Sequence, residues 1–163
     1  MPGPDAGGAG AAASLTQEFG LKLVEMAHRW RRVLDERLRP TGLSQAQWRT
    51  LLNAGRMDGI LQKDLAIALG IEGPSLVRLL DRLEADGLIE RRAAVPDRRG
   101  KTLHLTPKGK ARERELARIV DDVRAQLLEG TSAAELLTCM EVFERIRANA
   151  ETRIAKSAKG DLE

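Results

Sequence analysis

The chain has 163 residues and a formal net charge of +3, and its composition is 42% hydrophobic and 31% charged. This profile is typical of a soluble globular protein, and the small positive charge permits a nucleic-acid partner without requiring one. One cysteine excludes an internal disulfide, and two distant histidines offer no metal cluster. Because no phosphate-binding loop or G-x-S-x-G motif occurs, we expect neither an enzyme nor a bound cofactor.

The N-terminal part of the chain is predicted to be a tail followed by one long helix. Residues 1–13 are mostly Gly, Ala and Pro and lack the pattern of a signal peptide, so we expect a disordered tail. No apolar run approaches the about 18 residues of a membrane span, which favours a cytoplasmic protein with no membrane partner. Helical spacing of apolar residues predicts the first helix from Ser14 or Thr16 until Pro40 and Gly42 end it.

Three shorter helices are predicted next. Ser44 and Gln47 form a capping box that opens the second helix. The third helix covers residues 62–69, and Gly70 ends it. The fourth helix covers residues 74–86, with proline at its first position. The side chains expected to form its inner stripe are Leu76, Val77, Leu80 and Leu83.

The hydrophobic period then changes from helical to alternating. Residues 88–92 and 101–105 are predicted strands around a turn over residues 94–100, which makes a β-hairpin or wing. Five basic and two acidic residues give residues 88–101 a net charge of +3; the basic ones include Arg98 and Arg99, and the acidic ones are Glu90 and Asp97. Arginines at a hairpin tip suit a narrow minor groove, and Asp97 could hold one in place. The alternative is a solvated loop with a surface ion pair.

Two long helices complete the predicted architecture. Thr106 and Pro107 open the fifth helix, Gly130 ends it, and a capping box of Ser132 with Glu135 opens the sixth. The terminal helices cannot bury their apolar stripes on so small a core, so we expect them to pack against a second copy. The predicted fold is mainly α with a small β-hairpin wing: a winged helix-turn-helix flanked by long dimerisation helices. Its expected segments are a tail (1–13), an N-terminal dimerisation helix (14–40), a DNA-binding domain (41–106), C-terminal dimerisation helices (107–158) and a tail (159–163).

The fourth helix is the candidate reader of DNA sequence. Its first turns expose Ser75, Arg78 and Arg82, and arginine can donate two parallel hydrogen bonds to guanine. A twofold dimer would present two such helices about one helical turn apart. The alternative for Arg78 is an ordinary ion pair with Asp81 on the next turn.

Further phosphate contacts are predicted at the starts of two other helices. The candidates are Ser44 and Gln45 on the second helix and Gln62 and Lys63 on the third. Each of these residues is equally suited to an ordinary helix cap.

Several separated motifs resemble those of the MarR family of winged-helix regulators. They are QKDLA at residues 62–66, LGI at 69–71, LLDRLE at 79–84, GLI at 87–89, and the wing residues Asp97-Arg98-Arg99 followed by LHLT at 103–106. The run IEGPSLVR at 71–78 is similar to the SlyA subgroup. The resemblance extends residue by residue over about residues 19–110.

The resemblance implies a homodimer that binds a pseudo-palindromic double-stranded DNA site and controls transcription. It implies that Pro74, Ser75 and Arg78 enter the major groove and that Arg98 or Arg99 enters the minor groove. It also implies release by a small aromatic acid or phenol that binds between the dimer helices and the DNA-binding lobe. A winged helix used only for protein contacts is the rival interpretation.

Four residues are candidates for holding such an effector: Trp30, Arg31, Trp48 and Arg78. A ring would stack on indole and a carboxylate would meet guanidinium, whereas the alternative is that both tryptophans belong to the core. Redox-sensing relatives use a cysteine in the first helix, which has none here. We therefore expect Cys139, on the sixth helix, to be buried and inert.

Overall fold

The computed structural model describes the backbone of residues 6–94 and 100–160 and the side chains of residues 14–94 and 100–157. The chain divides into two compact units, Met1–Ala125 and Gln126–Glu163. The first helix, α1, covers Ala6–Leu38 and is followed by a 3-10 turn, Arg39–Thr41. It begins eight residues before the expected Ser14, so residues 6–13 are helical and not part of a disordered tail as predicted. Alanine, which is frequent in this segment, has the highest helix propensity.

A compact trio of helices follows, with the predicted boundaries within one or two residues. They are α2 (Gln45–Arg56), α3 (Gln62–Leu69) and α4 (Gly73–Ala85). The capping box of α2 is present, since Ser44 accepts from the Gln47 amide and Gln47 accepts from the Ser44 amide. Gly70 ends α3 at φ 67°, a left-handed conformation that glycine adopts without steric cost and that turns the chain toward α4.

The wing belongs to a three-stranded antiparallel sheet in the order β1-β3-β2. The strands are β1 (Ile60–Leu61), β2 (Ile89–Ala93) and β3 (Lys101–Leu105), and Ile60 pairs with Leu103 while Ile89 pairs with Leu105. The sequence predicted only the two hairpin strands. It missed β1 because two residues are too short to show an alternating pattern.

One hydrophobic core unites the helices and the sheet of the first unit. Its centre is aliphatic, and the residues with essentially no exposed surface include Leu51, Leu65, Leu80, Leu83, Leu103 and Leu116. Leu34 and Leu38 of α1 join the same core. Residues on both sides of segment 41–106 therefore help to hold the helix-turn-helix and its wing.

Helix α5 (Pro107–Leu127) is anchored at the base of the wing. The Thr106 hydroxyl accepts from the Gly109 amide at 2.9 Å and donates to the Gly87 carbonyl at 2.7 Å. Gly109 faces the Leu88 carbonyl so closely that a Cβ atom there would lie 1.8 Å from its oxygen. The start of α5 is thus fixed against the start of β2.

The second unit contains α6 (Ala133–Gly160), opened by the predicted capping box of Ser132 and Glu135. Cys139 is exposed, which contradicts the expectation that it is buried. The reason is that the apolar face on which it lies, with Met140 and Phe143, is uncovered within its own unit. In the described part of the chain, the helices are all too short or too polar to span a bilayer.

Candidate nucleic-acid interface

The outer face of α4 carries the side chains that the sequence assigned to the major groove. Leu76, Leu80 and Leu83 are buried and define the inner face of this helix. The candidate readers Pro74, Ser75, Arg78 and Arg82 are all exposed. The N-cap residue, Glu72, makes no side-chain capping bond, so the amides of Gly73 and Ser75 in the first turn are left uncapped, and Pro74 has no amide hydrogen. The face combines a helix amino terminus with cationic side chains, which suits a polyanion.

The alternative for Arg78, an ion pair with Asp81, is not formed. Asp81 instead pairs with Arg91 of β2, at 2.7 Å between Oδ1 and Nη2. Among the described residues, no carboxylate lies within ion-pair distance of Arg78 or Arg82. Their guanidinium groups are therefore available to an external partner.

Arg91 joins the wing to the reading helix. Its side chain is only 16% exposed and also pairs with Glu84 of α4, while its backbone amide donates to the Glu84 carboxylate at 3.1 Å. The Arg91 side-chain hydrogen bond lowers the pKa of Glu84, and the same bond raises the pKa of Arg91. Arg91 is one of the five basic residues of the predicted wing, but its guanidinium is engaged by the two carboxylates of α4 and ties β2 to that helix.

The wing itself is only partly described. Arg92 forms an ion pair with Glu90 on its own strand, and Lys101 is exposed. The residues predicted to enter the minor groove, Arg98 and Arg99, lie outside the described residues, as does Asp97.

His104, for which the sequence predicted no role, connects the wing to the turn after α2. His104 of β3 lies 3.2 Å from the Asp58 carboxylate through Nδ1 and 3.1 Å from the Thr102 hydroxyl through Nε2. Gly59 leaves room for this ring, because a Cβ at that position would lie 3.2 Å from its Cε1 atom. Its partner Asp58, 46 residues away in sequence, gave no local signal.

Of the four predicted phosphate contacts, Gln45 and Gln62 have side chains that face the protein, whereas Ser44 and Lys63 are exposed. Ser44 serves in its capping box, and the Gln45 amide donates to Asp35 of α1 at 2.8 Å. The Gln62 side-chain nitrogen is buried. Lys63 is exposed at the start of α3.

The inner face of α4 is narrower than predicted. Val77, expected in the buried stripe, is 46% exposed. Successive helical residues are rotated by about 100°, so Val77 cannot share the direction of its buried neighbour Leu76. The buried stripe is centred on Leu76, and Val77 lies at the edge of the reading face.

A cavity of about 280 Å³ lies between α1, α2 and α5. Three arginines and two carboxylates line it together with an indole: Arg49, Arg56, Arg124, Glu113, Asp121 and Trp48. Asp121 pairs with Arg124 at 2.6 Å, which leaves Arg49 and Arg56 without an ion pair among the described residues. The lining therefore combines the small exposed part of an indole with two arginines and with Glu113, which likewise has no ion pair among the described residues.

The structure places only Trp48, of the four predicted effector residues, at this cavity. Trp48 is 6% exposed and belongs to the core, and Trp30 is half-buried against the same core. Arg31 and Arg78 are exposed on α1 and α4. Both tryptophans therefore pack in or against the hydrophobic core, as the alternative interpretation expected. Trp48 also lines the cavity.

Known proteins are similar to this chain in architecture and in sequence. A family model described as MarR family matches residues 41–100. The crystal structure of transcriptional regulator PA3341 is 43% identical, with a TM-score of 0.77 over 82% of this chain and 98% of that chain. MepR from S. aureus, solved in complex with DNA, is 25% identical, with a TM-score of 0.68 over 81% and 97% of the two chains. CouR from Rhodococcus jostii RHA1, solved with p-coumaroyl-CoA, is 25% identical, with a TM-score of 0.72 over 81% and 93%.

The family model covers the helix-turn-helix and most of the wing, and the 43% identity extends over nearly all of a solved transcriptional regulator. These matches agree with the winged-helix architecture of the first unit. The chain belongs to the MarR family of winged-helix transcriptional regulators, which are DNA-binding proteins and not enzymes.

Proposed function

We propose that this chain is a sequence-specific, double-stranded-DNA-binding regulator that acts as a homodimer on a pseudo-palindromic operator. The observation that carries the proposal is the outer face of α4. Arg78 is exposed there and unpaired among the described residues, while the nearest acidic group on its helix, Asp81, is held by Arg91. An exposed arginine on a helix whose two carboxylates both pair with another residue, Arg91, is suited to the donor and acceptor pattern of the major groove.

The homodimer is supported by the uncovered apolar faces of the terminal helices. α1 exposes Phe19, Val24 and Met26, and α6 exposes Met140 and Phe143. Uncovered apolar surface on this scale usually marks a protein interface. A twofold pair would place two copies of α4 about one DNA turn apart, as a pseudo-palindromic site requires.

We assign the wing tip, through Arg98 and Arg99, to the adjacent minor groove, with Asp97 positioning one of them. The tip lies between β2 and β3 in the sequence, and both strands are fixed to the helical core through Ile89, Leu103 and Leu105, which supports this role. The run at residues 71–78 supports placement in the SlyA-like subgroup. A protein with these partners works at the nucleoid in the cytoplasm.

A salt titration tests the proposal against a module that binds only proteins. Fluorescence anisotropy of a labelled duplex should show binding that falls by about 10³–10⁵ between about 50 and 200 mM salt, as counterion release from six to ten phosphates requires. The paired change Arg98→Ala, Arg99→Ala should make this dependence shallower. The matched control is Arg29→Ala, Arg32→Ala on α1, whose arginines pair with Glu25 and Glu36. No binding to any duplex at low salt would overturn the proposal.

We further propose that a small aromatic carboxylate regulates DNA binding from the cavity between α1, α2 and α5. Trp48 would stack on the ring, and Arg49 or Arg56 would meet the carboxylate. The cavity lies where α2 of the helix-turn-helix meets α5 and α1, and α1 carries part of the proposed dimer contact. An occupant could therefore favour one arrangement of these three helices.

The effector test uses Trp30→Phe, which leaves Trp48 as the only tryptophan. Titration with 4-hydroxybenzoate should quench its fluorescence to saturation and weaken DNA binding by about 5- to 150-fold, the usual range of allosteric coupling. The double change Arg49→Met, Arg56→Met should abolish the quenching and leave DNA binding unchanged. Unaltered fluorescence with a panel of benzoates and phenylacetates would contradict this regulatory site.

A further inference from the structure

Val77 is an apolar side chain of α4 that does not contribute to the hydrophobic core. Every residue of this helix is described, and among its valine and leucine side chains Val77 alone is exposed, at 46%. A β-branched residue has a lower helix propensity than alanine. Because about half of the Val77 side chain is exposed, burial of that half does not offset the less favourable helix propensity of valine.

The neighbours of Val77 belong to the proposed reading face. Residues three and four positions away lie on the same side of a helix, so Val77 is flanked by Pro74 on the preceding turn and Asp81 on the next. Arg78 follows it directly. The Asp81 carboxylate is held by Arg91 at 2.7 Å, so it is engaged with β2 and not with the side chains of the reading face.

The major groove offers one kind of apolar group to such a side chain. Phosphates, sugars and base edges present mainly polar atoms there, whereas thymine presents its C5-methyl group. Burying Val77 against a polar edge would give up water contacts without return. Contact with a thymine methyl removes apolar surface of both partners from water.

We propose that Val77 is a specificity-determining residue that recognises the C5-methyl group of one thymine in each half-site. This inference rests on the proposed function and adds a base identity to it. Arg78 and Val77 then read by different chemistry: the guanidinium selects an acceptor pair, and the valine selects a methyl group on an adjacent step. A half-site should pair a guanine with a nearby thymine.

The experiment replaces thymine by uracil, which removes only the methyl group. A duplex is first selected by the wild-type protein from a random pool, and each thymine of one half-site is then changed in turn. At one position, wild-type affinity should fall about fourfold, the value of one buried methyl group. Val77→Ala should bind the thymine duplex more weakly and should bind the thymine and uracil duplexes equally.

Ile67→Ala is the matched control, because Ile67 is 79% exposed on α3 and lies off α4. This variant should keep the fourfold preference for thymine. Both changes are on the surface, so circular dichroism should show unaltered folding. If Val77→Ala binds the selected duplex and keeps the thymine preference, the methyl is read by another residue and the inference fails. If the wild type enriches no duplex, the proposed function fails and the inference falls with it.

Discussion

In the proposed function, Arg78 is the side chain on which specific recognition should depend most. It is exposed on the outer face of α4 and lacks an ion-pair partner among the described residues. We expect Arg78→Ala to weaken binding to the selected duplex by about 1–3 kcal/mol and to relax sequence preference, because a bidentate contact to a base is lost. Competition between selected and random duplexes measures both effects.

The control for this prediction is Arg118→Ala, which removes the same charge from an exposed position on α5. It should change affinity much less. Equal losses on selected and random DNA in Arg78→Ala would show that Arg78 touches only phosphate.

Glu84 carries a second prediction at the residue scale, since its pKa is lowered from 4.5 by hydrogen bonds from Arg91. A carboxyl with a lower pKa in the folded state stabilises the fold above its unfolded pKa. This contribution is lost as the pH falls through the folded value. Glu84→Gln should therefore be less stable than wild type at neutral pH, and the gap should narrow below pH 4.5 in urea unfolding. A gap that stays constant with pH would show that the charge of Glu84 is irrelevant.

At the scale of elements, the contact between α5 and β2 depends on a missing side chain. The Leu88 carbonyl accepts from the Thr106 amide at 3.1 Å and lies against Gly109, so it cannot move aside for a new Cβ. We expect Gly109→Ala to lower the free energy of unfolding by about 3 kcal/mol through overpacking. Gly20→Ala, in an open position on α1, should raise it by about 0.5–1 kcal/mol. Thermal unfolding compares the two, and similar values for both variants would contradict the close contact.

The sequence predicted elements best where local signals agreed with packing. Caps and periodicity located α2, α3, α5 and α6, since Ser44, Thr106 and Ser132 act within one turn of their partners. β1 was missed because a two-residue strand exists only through its pairing with β3.

The candidate site was predicted less completely, because its missing parts depend on contacts between distant residues. The ion pair of Arg91 with α4 and the contact of His104 with Asp58 join residues that are far enough apart in the sequence to leave no recognisable local motif. Val77 was misassigned because hydrophobicity alone does not distinguish a core residue from an exposed apolar contact. The cavity beside Trp48 depends on three helices, and a linear pattern predicted its indole but not its arginines.

At the scale of the whole molecule, the proposed function requires two copies of the chain. Uncovered apolar side chains on α1 and α6 are costly for a monomer and useful for a dimer. One chain carries one α4 and one wing, which together can read only a half-site. In the proposed function, recognition of a full operator therefore requires dimerisation.

Selection of binding sites from a random DNA pool by the purified protein tests this claim most directly. We predict an enriched sequence with two inverted half-sites whose centres are about 10 base pairs apart, as two reading helices on one face of the duplex require. A pool that remains random after repeated rounds, or that yields a single half-site without dyad symmetry, would contradict it.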